Sequence, residues 1–535
     1  MFRRLTEEHS RSGVEIETPV CIVGGGTGGL FLAHLLNRKG VRVVVLEAGE
    51  IVARPPSSFG EVCEQSGRRY RGAEDGRSFG LGGTSVVWGG QLIGMTEHDF
   101  SRRPGVPTPW PIPHSEVAPF FPVVFSEFGI PPRFLGDESA VIAHSYPSLS
   151  KMAPPFHLRL SSWIPFSKRN VAKAFARSLR RGAGIDVWLD TCVTDFVVQP
   201  TGSTLQLVAV RARSPAGTLA LVKAGIFVFC AGALETTRLV LLMDRHLDGE
   251  IARRHALLGR FFSDHLSVTC GEFHCTDRAA FNSQVAPIFR AGVMRTPRLE
   301  LSAECQRRWQ VPSAFAHFTF KTCGNTGFDA VRQLLRRRQG GEASESPTRI
   351  PIRSTATEVA ALALWRIWKR RLRFPREATL LLQVDIEQRA CASSRLELSD
   401  ETDHFGRQRL HIDWKILPED WVLVRRVAEQ LAASWEESPL ASTARLELED
   451  LGDEKERGNL YDVYHPTGTL RMGNDPADSV VDPNLRLWSV DNCYINSTAV
   501  FPSAGSANPG LTHLALTARL AEHIAARRRP AGGPE

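Results

Sequence analysis

A short apolar run, Val20-Cys21-Ile22-Val23, leads straight into Gly24-Gly25-Gly26-Thr27-Gly28-Gly29. Leu30, Phe31, Ala33, His34, Leu35 and Leu36 then follow with helical spacing, and Gly40 closes the stretch. Val41 to Leu46 is a second apolar run, and it ends in Glu47. The order is strand, glycine turn, helix, strand, acid. Such a crossover joins parallel strands, which commits this part of the chain to an α/β sheet. Gly24, Gly26 and Gly29 satisfy G-x-G-x-x-G, and Glu47 lies eighteen residues beyond the third glycine. In that context the glycines let backbone approach a pyrophosphate at the helix N-terminus, and the acid accepts from ribose hydroxyls. Gly24, Gly26, Thr27, Gly29 and Glu47 are therefore candidate dinucleotide-binding residues. The competing reading is a bare crossover with a glycine-rich turn and no ligand.

A second glycine cluster runs from Phe79 to Gln91 and includes Gly82-Gly83-Thr84-Ser85 and Trp88-Gly89-Gly90. It reads either as a flexible loop or as backbone lying against a flat or phosphorylated ligand. Pro104 to Pro132 is proline-rich, carries Trp110, and reads as a packed connection. Helix is expected over 160–182, and strands over 185–198 and 205–210. Ala224 to Cys230 is a buried strand running into Ala231-Gly232-Ala233 and a helix, so the first unit resumes there. From about 271 to 450 the texture changes. Glu272–His274, Ala314–Phe318, Thr379–Ile386 and Arg395–Leu398 look like strands of an antiparallel sheet. His265, His274 and His317 are read as structural or surface histidines, with a pocket role as the alternative. Gly340 to Ser346 has a mobile loop's composition. Leu364 to Phe374 is basic and aromatic. It reads as a solvated helix face anchored by its tryptophans, with an interfacial helix or a lid as the alternative.

The chain has 535 residues, 42% hydrophobic and 23% charged, which suits a globular protein of more than one domain and excludes overall disorder. Of its 65 basic residues only nine are lysine, but the arginines are scattered rather than striped, so no nucleic-acid partner is expected. The ten cysteines form no CxxC pair, which argues against zinc, any other metal centre or a disulfide framework and fits a reducing cytoplasm. The N-terminus lacks the apolar core of a secretory signal, and no apolar run is long enough to span a membrane. Membrane contact is not expected.

The most specific signal lies near the C-terminus. His465-Pro466-Thr467-Gly468-Thr469-Leu470-Arg471-Met472-Gly473 is followed by a strand, Cys493 to Asn496, and by Gly505-Ser506-Ala507-Asn508-Pro509 at the start of an apolar helix. A histidine on one loop and an asparagine at a helix start make a plausible acid/base pair. Taken with Val23–Glu47, the Gly82–Gly90 cluster and Ala231–Thr236, these pieces resemble the glucose–methanol–choline oxidoreductases, in family order over nearly the whole chain. The Gly505–Pro509 form looks most like the pyranose-oxidase side of that family.

The resemblance implies a Rossmann-like FAD-binding domain interleaved with a mainly antiparallel substrate domain, α/β locally and α+β overall. Residues 15–105, 181–270 and 456–530 would form the FAD-binding parts, 106–180 a connection on the substrate side and 271–455 the substrate domain. It further implies oxidation of an alcohol to aldehyde or ketone, with His465 as base, hydride transfer to flavin N5, and Asn508 holding the same oxygen. Gly83, Thr84, Ser85, Trp88, Val193, Ala231, Asn496, Pro509 and Thr512 join the cofactor candidates. Asn496 stands where many members have an aspartate. Thr84 to Trp88 lacks the histidine that binds flavin covalently in some relatives, so the FAD is expected to be non-covalent. The substrate is expected to be a sugar or aminosugar hydroxyl, such as the 6′-CH2OH of an aminoglycoside in antibiotic biosynthesis. Molecular oxygen or another carrier would be the electron acceptor. The alternatives are a hydroxynitrile-lyase-type enzyme holding FAD, a dehydrogenase of another small alcohol, and, less favoured, a non-catalytic flavoprotein or an NAD-dependent enzyme.

Overall fold

The strand Val14–Val23, the helix Thr27–Arg38 and the strand Val43–Leu46 form the expected crossover, and the two strands pair in parallel. The computed structural model describes residues 1–7, 13–60, 63–106, 108–152, 154–181, 184–340, 352–450 and 460–527. Around the crossover grows a sheet whose parallel part runs Phe2–Arg4, Ile185–Leu189, Val43–Leu46, Val14–Val23 and Leu219–Phe229. Thr204–Arg213 and Cys192–Thr201 extend it antiparallel. The short Cys493–Ile495 strand pairs in parallel with the far half of Leu219–Phe229, so three distant stretches of chain share this sheet. Its central strands are apolar on both faces because helices cover both. Thr27–Arg38 is one of them. Nearly all of it is buried, since it lies between the sheet and the Gly510–Arg527 helix.

The second sheet is antiparallel throughout its main path. Its order is Ala444–Leu448, His265–Cys275, Thr379–Glu387, Ala314–Lys321, Val293–Leu301, Phe156–Trp163 and Gln91–Leu92. In the second to fourth of these strands the residues alternate by chemistry. Leu380, Leu382, Val384 and Ile386, with Ala314, Ala316, Phe318, Leu266 and Val268, face a core shared with the Pro418–Glu436 helix. Burial of each leucine, isoleucine, valine or phenylalanine among them contributes about 1.5–3 kcal/mol, and Trp435 fills the centre against Phe273, Phe281 and Phe318. The intervening residues point the other way and form a polar floor.

Three expectations need correction. Residues 160–163 belong to the Phe156–Trp163 strand, because that stretch pairs with Val293–Leu301; only the remainder, in three short pieces from Phe166 to Arg181, is helical. Arg395–Thr402 is a strand, but of a separate sheet with Gln408–Trp414 and Glu64–Gly67, the last pairing in parallel. The tryptophans do not both anchor the basic stretch. Trp365 is half-buried, while Trp368 is 77% exposed beside Ile367 at 67%. The proline-rich connection is packed as expected, with Trp110 against Phe100 and Phe501. Of the supposed mobile loop, all but Gly340 lies outside the described residues. No helix among the described residues is long and apolar enough to cross a membrane.

Candidate functional site

Four parallel strands end at one place. Val23 and Gly24, Leu46 and Glu47, Cys230 and Ala231, and Asn496 after Ile495 all border a cavity of about 650 Å³. The carboxyl ends of the strands in an open α/β sheet are where such folds hold ligands. The two glycine clusters meet here. The Gly82 N–H donates to the Gly25 carbonyl at 2.9 Å. A Cβ on Gly83, whose φ is +51°, would stand 2.9 Å from the Gly26 Cα, so the second cluster is a wall of the cavity and not a free loop.

Glu47 ties both clusters together. Its Oε2 accepts from the Gly25 N–H at 2.7 Å, and its Oε1 from those of Gly49 and Gly80, each at 2.9 Å. Burial pushes the carboxyl up from its ordinary range, and the three N–H groups pull it back. Most of its accepting capacity is already used by backbone, which leaves little for a ribose hydroxyl. Val193 also borders the cavity, but its carbonyl accepts from Arg407 at 3.2 Å.

Gly24, Gly26, Thr27, Gly83, Thr84 and Trp88 line the cavity, as do Ala231, Asn496 and Pro509. Three candidates do not. Gly29 is a packing glycine, since a Cβ there would sit 1.9 Å from the Gly24 carbonyl oxygen. Ser85 is fully buried, donating to the Gly82 carbonyl and accepting from the Val171 N–H. Thr512 is buried in the first turn of the last helix, and its neighbour His513 lines the cavity instead. Burial pushes His513 down to about 4. Ser497 Oγ, Thr512 Oγ1 and His513 Nε2 are buried near the start of that helix without a hydrogen-bond partner among the described residues. Buried polar atoms seldom go unpaired. Together with the glycine cradle they suit a large polar cofactor with a phosphate-bearing arm.

His465 and Asn508 also line this cavity. The His465 N–H of the main chain donates to Asp264 Oδ2 at 2.7 Å, and the Tyr70 hydroxyl donates to the same oxygen at 2.7 Å. Burial, with Asp462 nearby, holds the Asp264 carboxyl well above its usual range. The His465 ring is set by a second histidine. His265 Nε2 lies 2.6 Å from the Gly505 carbonyl oxygen, and His265 Nδ1 lies 3.0 Å from His465 Nδ1. A carbonyl only accepts, so His265 carries its proton on Nε2 and its Nδ1 is a bare acceptor. Burial lowers both imidazoles below their ordinary value, His465 to about 3, so both are neutral at pH 7. His465 must then donate from Nδ1, and its bare nitrogen is Nε2, which has no hydrogen-bond partner among the described residues. The assignment follows from the network.

Asn508 is oriented by the same kind of argument. Its Oδ1 accepts from Arg298 Nη1 at 3.3 Å, and its amide N–H groups have no acceptor among the described residues. Arg298 is 1% exposed, stacks 3.6 Å over Phe315, and pairs with Glu300 at 2.7 Å. It also binds the Ser506 carbonyl and hydroxyl. A bare ring nitrogen and an amide donor thus border one cavity.

Residues 391–517 match the family model of the GMC oxidoreductases, and residues 17–57 match that of an FAD binding domain. Over those two stretches the chain is similar to GMC oxidoreductases and to FAD-binding proteins. Among similar proteins is the 6'''-hydroxyparomomycin C oxidase of Streptomyces lividus, 47% identical over 68 residues, 12% of each chain. Another is the C-glycoside 3-oxidase of Microbacterium trichothecenolyticum, 27% identical over 136 residues, 25% of each. The aligned stretches are thus well under two thirds of either relative. Pyridoxine 4-oxidase from Mesorbium loti has the same fold, with a TM-score of 0.56 at 17% identity over 95% of this chain and 99% of that one.

The histidines read as structural or surface residues divide. His274 is a surface residue paired with Glu447. His265 and His317 line the cavity. The tuning residues Asp264, His265 and Arg298 were not singled out as site residues from the sequence. A signal was present. His265-Leu266-Ser267, Phe315-Ala316-His317-Phe318-Thr319 and Gln383-Val384-Asp385 each place non-aliphatic side chains at every second position of an otherwise apolar strand.

Proposed function

We propose that the protein is an FAD-dependent enzyme that oxidises an alcohol to an aldehyde or ketone, the substrate being a sugar or aminosugar hydroxyl. The observation that carries this reading is the convergence of bare His465 Nε2 and the free Asn508 amide donors on a cavity walled by two glycine clusters. Gly24, Gly26, Thr27, Gly83, Thr84 and the Gly510 end of the last helix would hold the FAD, and Asn496 and His513 would contact it. When bound, FAD supplies the hydride acceptor. His465 Nε2 takes the hydroxyl proton as the carbinol carbon gives up its hydride. An imidazole held near 3 is fully unprotonated at neutral pH, and the field of Asp385 favours the imidazolium once it forms. The Asn508 amide donates to the same substrate oxygen and stabilises the charge that develops there. The free amides at the start of the Gly510–Arg527 helix favour negative charge at the cavity's edge.

The sugar class is supported by the polar floor and by the two relatives named for oxidising aminoglycoside-type and glycoside substrates. A 6′-CH2OH of an aminoglycoside in antibiotic biosynthesis is the specific form of the proposal. Non-covalent FAD is supported by the absence of histidine from Thr84–Trp88, and a cytoplasmic setting by ten free cysteines. The test is anaerobic mixing of the FAD-loaded protein with sugars, aminoglycosides and cyclitols. Bleaching of the flavin band, abolished in His465→Ala with FAD retained, is the expected result. No bleaching with any alcohol, together with cleavage of a cyanohydrin, would overturn it in favour of a lyase. Repeating the productive mixtures in air with peroxide detection separates an oxygen-using oxidase from a dehydrogenase.

A further inference from the structure

Three carboxylates line the cavity. Glu47 is held by three backbone N–H groups. Glu235 lies among Arg238, Arg407 and Arg77. Asp385 is different. It stands on the polar floor, opposite Ser267 on one neighbouring strand and Phe315 on the other. It is 5% exposed and makes no ion pair with arginine or lysine among the described residues. Its partners are the Ser267 hydroxyl and the His317 ring, whose Nε2 lies 3.0 Å from Oδ2. That approach is off the hydrogen-bond line, so neither atom has a well-directed hydrogen bond. The nearby cation, Arg298, is already held by Glu300, Ser506 and Asn508.

A buried carboxylate without a well-directed cationic partner is costly, and a site normally supplies that partner from somewhere. Its neighbours on the floor are Ser267, Gln383, His317 and Thr319, all able to meet hydroxyl groups. We infer that Asp385, backed by His317, is the recognition point for a substrate ammonium group, and that the cavity selects an amino-bearing polyol over its neutral counterpart. This rests on the reading of the cavity as an alcohol-binding site. Asp385 acts there as a specificity determinant. It anchors the ammonium while His465 and Asn508 meet the reacting hydroxyl.

The test uses the full-length, FAD-loaded protein under anaerobic conditions with three ligands: methyl 2-amino-2-deoxyglucopyranoside, its N-acetyl derivative and methyl glucopyranoside. Binding is followed by calorimetry and flavin reduction by absorbance. The amine is expected to bind about 10- to 150-fold more tightly than either neutral glycoside, the range of a charge-assisted hydrogen bond. Asp385→Asn should bring that ratio close to one. Equal affinity for amine and N-acetyl glycoside in the wild type overturns the inference whether or not the variant folds, as does failure of all three to bind. An Asp385→Asn that weakens all three alike assigns Asp385 a structural role. Reduction by the glycosides without amine preference would overturn this inference and leave alcohol oxidation standing. Asp385-dependent amine binding without reduction by any alcohol would do the reverse.

Discussion

His265→Leu isolates the tautomer argument. The leucine fills the space but offers no acceptor to His465 Nδ1–H, now 3.0 Å from His265 Nδ1, and no donor to the Gly505 carbonyl at 2.6 Å. A neutral hydrogen bond contributes about 0.5–1.5 kcal/mol, which in tautomer preference is a factor of about 2–12. A ring freed to turn adds misplacement of the base, worth up to about 100-fold. The rate of anaerobic flavin reduction at saturating substrate is therefore expected to fall about 10- to 100-fold, with substrate affinity and FAD content little changed. His265→Asn, whose carbonyl can stand near the lost Nδ1, should recover most of the rate. Stopped-flow absorbance measures both. A leucine variant that reduces flavin at the wild-type rate, or an asparagine variant no better than leucine, refutes the assignment of Nε2 as the base set by His265.

The pH profile gives a second check. His465 is held at about 3 against an unfolded value near 6.5, so the folded protein refuses a proton that the unfolded chain accepts. Its stabilising contribution is fully present above pH 6.5 and is lost as pH falls towards 3, and thermal unfolding of wild type against His465→Gln should diverge in that window. The acid limb of flavin reduction should likewise lie well below 6.5; a limb centred near 6.5 would contradict a buried neutral base. Glu47→Gln replaces an acceptor facing backbone N–H groups with an amide donor, and loss of FAD on gel filtration is expected; full FAD content would show that the staple is not needed. Gly83→Ala places a methyl 2.9 Å from the Gly26 Cα at a φ of +51°, so the purified variant should carry little FAD, and wild-type loading would mean the two glycine clusters can part. Arg298→Met frees the Asn508 amide to turn, and should lower the maximal reduction rate more than the affinity; an affinity loss alone would place Arg298 on the substrate.

What the sequence made legible was local. The first crossover is written in consecutive residues, since strand, glycine turn, helix and acid lie within Val20–Glu47. The His465 and Asn508 motifs are short and contiguous too. What it hid depends on register between distant strands. Leu160–Trp163 has no local feature that separates it from the helical residues after it, and only pairing with Val293–Leu301 makes it a strand. Gly29 and Ser85 sit inside genuine motifs yet make internal contacts, because a motif does not say which of its members turns inward. His265 and Asp385 lie 120 residues apart and reach one floor only because Ser267 pairs with Asp385.

That separation has a physical consequence. The proposed reacting groups His465 and Asn508 lie in the stretch that matches the GMC model, whereas His265 and Arg298, which contact them, lie outside it on strands of the other sheet. The polar floor belongs to that same sheet, on His265–Cys275, Ala314–Lys321 and Thr379–Glu387. Each floor residue is backed by an apolar neighbour in the core shared with the Pro418–Glu436 helix, so its direction is fixed by the pleat and its chemistry is free to vary. Changing Ser267, His317 or Gln383 should alter what the cavity recognises without moving the proposed base, because the Asp264 and Gly505 links that hold the His465–His265 pair do not pass through them. Changing His265 or Arg298 alters the chemistry for every substrate alike. The two classes of variant should therefore separate in a single experiment, floor substitutions changing the ranking of alcohols and tuning substitutions lowering all of them in proportion.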